Sequence, residues 1–584
     1  MNDIAQHHWW QKAVFYQIYP RSFADGNGDG IGDFAGMISR LDYLQQLGVD
    51  AVWLSPHYPS PYVDCGYDIS DYQGVAQEYG KMHDFRQFLD GLHQLGMKLV
   101  LDLVLNHTSD QHPWFIESRS NRHNPKRDWY IWKDGKEGQP PTNWYSTFGG
   151  SAWEYDKLTS AYYYHYFFKE QPDLNWRNPA VKEAMFNVAR FWLDMGVDGF
   201  RLDAIGTIFE DENYPPIPDG MSQEELYRLA RNTQNPEADE KVLSYWARMY
   251  RYQSDQPEVH HLMKELRILL DEYEDRVLIG ETDDLAFYGD GNDELHLNFN
   301  FPLMRTQRLT AKHVRKNQQE RLAALPVYAW PCNTLGNHDS ARVYSRYGDG
   351  ENNPTIARLN LMLLLTLRGT PFLYNGEEIG MSDLIIEDPG RFRDPLSLLY
   401  AALDQKVMGS DKKTATLTGA MMGRDRNRTP MQWMDAPHGG FCPADIEPWL
   451  PVNSDYHTGI NVNAQEKDPG SLLNFYRALI KLRKQSPTLQ TGAYEEIDAG
   501  NDEVLVFRRW DGSGSYIVAL NFSDALQRAY LPDNPGMNIF SNIPNSAGWE
   551  TGALPLLPYQ GVIFSQERTV DKHSGKGFGR SEVF

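Results

Sequence analysis

Three stretches of the chain repeat one hydrophobic pattern. LDYLQQLGVDAVWLSP (41–56), FLDGLHQLGMKLVLDLVLNH (88–107) and ARFWLDMGVDGFRLD (189–203) each space apolar residues as a helix does and turn at a glycine: Gly48, Gly96 and Gly196. Each then enters an apolar run without alternation. A glycine just past a helix is the usual left-handed cap, and an unalternating apolar run is what a strand buried on both faces looks like. Repeated helix-to-strand units predict a parallel sheet. The same search yields eight candidate strands, at 14–20, 50–56, 98–105, 198–203, 276–281, 296–301, 331–337 and 370–376, of which the sixth is short and polar. Eight is the strand number of a closed (β/α)8 TIM barrel, and count and spacing predict that fold over a doubly wound open sheet.

The interval between the third and fourth strands is longer than a crossover helix needs and is rich in Trp, Tyr, Pro, Asn and Gly, which predicts an inserted subdomain at 108–175. The barrel is then 1–107 and 176–489, with an extended loop and helical region at 381–470 after its eighth strand. Beyond it, short alternating runs such as EVLVFRR, SYIVALNF and GVIFS predict a C-terminal antiparallel β-sandwich at 490–566, followed by a polar tail at 567–584.

The 584 residues carry 56 Lys+Arg against 79 Asp+Glu, a formal charge of −23, which argues against nucleic acid as the main partner. Hydrophobic residues at 41% leave ample material for a core. No stretch reaches the roughly 18 apolar residues of a membrane span, and the N-terminus lacks a basic segment followed by an apolar one. Cys65, Cys332 and Cys442 are odd in number and scattered, so a reducing cytoplasm is the expected location, outside the general secretory route. A monomer or small homo-oligomer is expected.

In such a barrel the chemistry sits where strands run into their following loops. The polar residues there are Asp102, Asn106 and His107 on the third strand, Arg201 and Asp203 on the fourth, Glu281 on the fifth, and Asn337, His338 and Asp339 on the seventh. One such residue alone reads as an ion pair or a turn, but the three carboxylates Asp203, Glu281 and Asp339, with two histidines and an arginine at one mouth, read as a site. A carboxylate pair does glycoside chemistry: one attacks the anomeric carbon while a carboxylic acid protonates the leaving oxygen. Arg201 and Asp203, two apart on a strand, share a face, so the guanidinium is expected to keep that carboxylate ionised. Glu281 follows the apolar RVLIG, and burial should raise its pKa towards that of a proton donor.

The segments DLVLNHTS (102–109), GFRLDAIG (199–206), IGET (279–282), LGNHDSAR (335–342) and QPDLN (171–175) resemble the signature regions of glycoside hydrolase family 13, the α-amylase family. QPDLN, GRDRNRTPMQW (423–433) and DCGYDISDY (64–72) look like its α-glucosidase and oligo-1,6-glucosidase branch, and the likeness runs from about 9 to 565. The resemblance implies Asp203 as nucleophile, Glu281 as general acid/base and Asp339 as the group stabilising the transition state. It places Asp68, Tyr67, His107, Phe167, Arg201 and His338 around the glucose, with an arginine, Arg424 or Arg428, that together with Asp68 closes the pocket over the non-reducing end. Metal ligation by His107 and His338 is set aside, because the site already has a chemical role without zinc.

In that branch valine after the nucleophile accompanies α-1,6 specificity and sucrose isomerisation, whereas threonine or alanine accompanies α-1,4 activity. Ala204 therefore implies an exo-acting retaining α-glucosidase acting on maltose and short α-1,4 gluco-oligosaccharides, with sucrose and aryl glucosides as further small substrates, and with transglucosylation from the same intermediate. The alternatives are an oligo-1,6-glucosidase or dextran glucosidase, and a trehalose synthase. VYSRYGDGENN after the LGNHD motif reads as hydrolase rather than isomerase, and Ser340 stands where trehalose synthases usually have Glu. A non-catalytic binding role, as in transporter heavy-chain ectodomains, is disfavoured by the complete carboxylate set.

ADGNGDGIGD places Asp25, Asn27, Asp29 and Asp33 at alternating positions around glycines, with the Ile31 carbonyl as a further oxygen. Oxygens so spaced wrap a hard cation in EF-hand-type loops, and relatives commonly hold structural calcium here. Ca2+ is the only cofactor expected.

Overall fold

The computed structural model describes residues 7–231, 236–531, 533–544, 549 and 552–566; the tail expected at 567–584 lies outside the described residues. Every candidate barrel strand forms: β1 (Phe15–Ile18), β2 (Ala51–Leu54), β3 (Lys98–Val104), β4 (Gly199–Asp203), β5 (Val277–Gly280), β6 (Leu297–Asn298), β7 (Cys332–Thr334) and β8 (Thr370–Tyr374). They pair in parallel in the order β7-β8-β1-β2-β3-β4-β5-β6, with registers such as Phe15 against Ala51 and Asp102 against Arg201. Sequential order in one sheet is that of a barrel. The polar sixth strand is only two residues long, and the seam beside it is crossed by side chains: the Asn300 amide donates to Asn333 (3.3 Å) and the Tyr288 hydroxyl to the Trp330 carbonyl (2.6 Å).

The helix-to-strand pattern explains the outside of the barrel. Helices α1 (Leu41–Leu47), α2 (Met82–Gln94) and α3 (Pro179–Met195) precede β2, β3 and β4. Gly48 and Gly196 cap α1 and α3 at φ 91° and 106°, where a side chain would be strained. Strand residues divide between two cores. Phe15, Trp53, Val100, Ile279, Leu297 and Phe372 fill the barrel interior, while Tyr16, Val52, Leu101 and Leu278 pack outward under the helices. Each such side chain, buried fully, contributes about 1.5–3 kcal/mol, so apolar residues occupy most positions on both faces of the strands.

The inserted subdomain is a three-stranded antiparallel sheet, Trp132–Lys133, Ala161–Tyr164 and Trp153–Asp156, with the helix Pro113–Ser120. An isolated bridge between His107 and Asp173 stitches its base to the chain just past β3, and one between Tyr130 and Leu174 closes the base itself. The C-terminal region forms an antiparallel sheet of five strands and a second of two. Two helical excursions overhang the C-terminal mouth of the barrel. After β4 come α4 (Gln223–Arg231) and α5 (Pro236–Tyr250); after β8 come α6 (Pro395–Leu403) and α7 (Lys412–Met422). Asp404 joins them, accepting from the Tyr227 hydroxyl at 2.9 Å and pairing with Arg231 at 3.1 Å. Among the described residues no helix is long and apolar enough to cross a membrane.

Candidate active site

A cavity of about 550 Å3 opens at the C-terminal ends of the barrel strands. Asp203 is the last residue of β4, Glu281 follows β5 directly, and Asp339 lies on the loop after β7; all three line it, with Asp64, Tyr67, His107, Phe167, Ala204 and Arg424. The convergence expected from the strand ends is therefore present.

One guanidinium organises the carboxylates. Arg201, buried on β4, holds Asp203 at 2.5 Å and Asp102 at 2.6 Å through one nitrogen and Glu281 at 2.8 Å through the other. Glu281 also accepts from the Ala204 backbone N–H at 2.9 Å, and Ala204 presents that N–H from a left-handed conformation, φ 41°. Burial is the largest influence on both reacting carboxyls and pushes each up to about 7, against the pull of Arg201. For Glu281 this is the expected shift. For Asp203 it corrects the expectation that Arg201 alone would keep the carboxylate ionised, because desolvation in a closed barrel mouth opposes even a close guanidinium. The two groups share Arg201, and the state with one proton, on Glu281, is the one suited to double displacement.

Asp339 is held differently. Burial would raise its carboxyl, but the guanidinium groups of Arg428 and Arg424 hold it well below the ordinary carboxylate range. Arg428 pairs with it at 2.6 Å and Arg424 at 3.5 Å. His338 is fully buried and committed on both nitrogens, to Gln17 at 2.6 Å and to the Tyr67 hydroxyl at 2.6 Å, and burial drives its pKa down, so the ring is neutral. His107 lies against Gln171 at 2.9 Å, and burial lowers it to about 4.

An ion pair also lines the cavity. Arg424 contacts Asp64 at 2.7 Å and is braced from behind by Asp394 at 2.9 Å; the Gln171 amide donates to Asp64 at 3.1 Å. This corrects the assignment of Asp68. That carboxylate accepts from the Ser60 hydroxyl and from the backbone N–H groups of Val63 and Asp64 at 2.8–3.0 Å, is fully buried, and does not line the cavity. Both aspartates flank Tyr67 in DCGYD, and which one turns inward depends on the loop, whose Cys65 and Gly66 have positive φ. Three further residues expected at the sugar, Arg201, His338 and Arg428, stand behind the cavity wall. They act on Asp203, Tyr67 and Asp339, to which their side chains are bonded from behind the wall. Of the two candidate arginines, Arg424 reaches the cavity.

Sequence reasoning missed Asp64, Asp394 and the wall supplied by Phe148, Trp246 and Asp255. Gln171 lay in a quoted motif and could have been found there; Asp394 carried no local signal.

The loop at 25–33 is wrapped on its own amides. Asp25 accepts from Gly28 and Gly30, Asp29 from Ile31, and Asp33 from Gly26, Asn27 and Gly36. Among the described residues no group of three or more His, Cys, Asp or Glu converges as a cation site. The oxygen donors at alternating positions fit a hard cation by their chemistry.

A (β/α)8 barrel whose carboxylates meet in a pocket at the C-terminal mouth has the layout of a glycoside hydrolase. The α-amylase catalytic domain pattern matches residues 17–492, and the chain belongs to that family. It is similar to the oligo-1,6-glucosidase of Parageobacillus thermoglucosidasius, 41% identical over 90% of this chain and 92% of that one. It is 39% identical to a probable α-glucosidase of Rhizobium meliloti, over 90% and 91% of the two chains. Among solved structures, a trehalulose synthase superposes with a TM-score of 0.86 at 36% identity, covering 96% of this chain and all of that one. The chain is thus a glycoside hydrolase of the α-glucosidase and oligo-1,6-glucosidase branch.

Proposed function

We propose that the protein is a retaining, exo-acting α-glucosidase that removes one glucose at a time from the non-reducing end of maltose and short α-1,4 gluco-oligosaccharides. The observation that carries this reading is the Asp64–Arg424 pair at 2.7 Å on the cavity lining, which would shut the pocket over a single terminal glucosyl unit. Asp203 attacks the anomeric carbon as Glu281 gives its proton to the leaving oxygen, so the glycosidic C–O bond breaks and a glucosyl ester forms on Asp203. Glu281 then takes a proton from water, the hydroxyl attacks the same carbon, and α-glucose leaves with Asp203 regenerated. A single guanidinium contacting both carboxyls supports the short separation of retaining enzymes, about 5–5.5 Å. A sugar hydroxyl in place of water gives transglucosylation.

Ala204 at the cavity wall supports α-1,4 cleavage, since a small residue beside the nucleophile leaves space at the next sugar; such differences are worth about 1–3 kcal/mol. The names of the relatives favour the second reading, an oligo-1,6-glucosidase. NMR of products from maltose and isomaltose decides between them. The expected result is α-glucose as first product and faster turnover of maltose; faster isomaltose cleavage keeps the mechanism and overturns the linkage, and β-glucose overturns retention.

We also propose that Asp25, Asn27, Asp29, Asp33 and the Ile31 carbonyl hold a structural Ca2+, which would neutralise the loop's acids and take no part in catalysis. Three free, buried cysteines support a reducing, cytoplasmic location.

A further inference from the structure

The turn that follows Asp203 holds a left-handed backbone. Ala204 has φ 41° and ψ 44°, a conformation that costs a residue with a Cβ about 1–2 kcal/mol. It persists only where the surroundings fix it, and here the peptide units of the turn are tied one by one. The Ala204 N–H donates to Glu281 at 2.9 Å, the Ala204 carbonyl accepts from the Thr207 N–H at 3.0 Å, and the Gly206 carbonyl accepts from the Asp255 N–H at 2.6 Å. Ile205 between them is fully buried.

The Thr207 side chain reinforces the turn. Its hydroxyl lies 2.8 Å from the Ala204 carbonyl and 3.2 Å from the side-chain oxygen of Asn106, two acceptors that share its one proton. Asn106 is fully buried just past β3; its side chain bonds the carboxyl of buried Asp173, and its backbone carbonyl accepts from the Leu174 N–H at 2.9 Å. The hydroxyl is thereby anchored to the base of the inserted subdomain. What the turn holds in place is one oxygen of Glu281. The Ala204 N–H, at 2.9 Å, and the Arg201 guanidinium, at 2.8 Å, both reach Oε2. An oxygen that accepts from two donors is the carbonyl oxygen of the neutral acid, so its proton sits on Oε1.

We infer that Thr207 is a positioning residue for the general acid: its hydroxyl fixes the left-handed Ala204 peptide, whose N–H holds Glu281 Oε2 and so aims the proton on Oε1 at the departing oxygen. This deepens the glucosidase reading and rests on it. Thr207 also lines the cavity, so its positioning role must be separated from a direct contact with the sugar.

The test compares wild type, T207V, T207A and T207S on phenyl α-glucoside and 4-nitrophenyl α-glucoside. The two substrates have nearly the same shape, but 4-nitrophenol, the stronger acid, departs with little need of a proton. In T207V, kcat/KM for the phenyl glucoside is expected to fall about tenfold further than for the nitrophenyl one, a part of the roughly 10^2–10^4-fold that a positioned proton donor contributes. The alkaline limb of kcat/KM should also move to higher pH. The Ala204 N–H favours the ionised carboxyl, so loosening it raises the pH at which Glu281 loses the proton it must give. The charged groups facing Glu281 are Arg201, Asp203 and Asp339, and all three are kept in these variants. T207S, which retains the hydroxyl, should behave as the wild type. Equal losses on the two glucosides, an unmoved alkaline limb, or a T207S as impaired as T207V would overturn the inference; if T207V does not fold, T207A is held to the same outcomes. A wild-type protein inert towards both glucosides would instead overturn the glucosidase reading.

Discussion

Two regions of this chain gather aspartates, and they treat them in opposite ways. At the barrel mouth the carboxylates of Asp203, Glu281 and Asp339 are answered by guanidinium groups and face a cavity. In the loop at 25–33 they are answered by backbone amides and face the chain itself. A carboxylate met by a fixed ring of amides is a structural element, whereas one held by a side-chain cation across an open cavity stays available to a ligand. The same contrast recurs four residues apart in DCGYD: Asp68 is enclosed by amides and Asp64 is aimed at the pocket.

The contrast breaks most sharply at the nucleophile. Asp203→Asn keeps the shape and removes the attacking charge, so kcat should fall by about 10^4-fold or more with the melting temperature preserved; steady-state rates and a thermal melt read both. Next comes the pair within one motif. Asp64→Ala removes the closest cavity-side partner of Arg424 and should lower kcat/KM by about a hundredfold with little change in stability. Asp68→Ala strips partners from two buried amides and should cost about 2–4 kcal/mol in chemical denaturation. Loss of stability in the first and of activity alone in the second would reverse the assignment. The smallest effect belongs to the loop. If Ca2+ binds there, a calcium concentration 100 times the Kd adds about 2.7 kcal/mol of stability, so a chelator should lower the melting temperature of the wild type and leave Asp25→Ala unmoved. An unchanged wild-type melt would mean the amides alone complete the loop.

Much of this was legible in the chain. All eight barrel strands lie within the runs marked by apolar patterning, because a strand covered on both faces needs an unbroken apolar sequence and a helix must stop at a residue able to turn back. Asp203, Glu281 and Asp339 were legible for the same reason, since each lies at or just past the end of such a run. The pocket wall was not. Asp64 and Arg424 are 360 positions apart, and nothing local distinguishes Asp64 from Asp68 or Arg424 from Arg428. The excursion bearing Trp246 and Asp255 gave no motif, because its position over the mouth depends on contacts such as Asp255 with Gly206 and Tyr227 with Asp404.

By itself, then, the sequence determined the barrel, the order of its strands and the carboxylates at their ends, all consequences of short-range periodicity and turn chemistry. Tertiary structure decided which aspartate and which arginine line the pocket, that burial rather than Arg201 dominates the Asp203 carboxyl, and which helix reaches the cavity. Those outcomes depend on desolvation and on pairings between distant segments, which exist only once the barrel has closed.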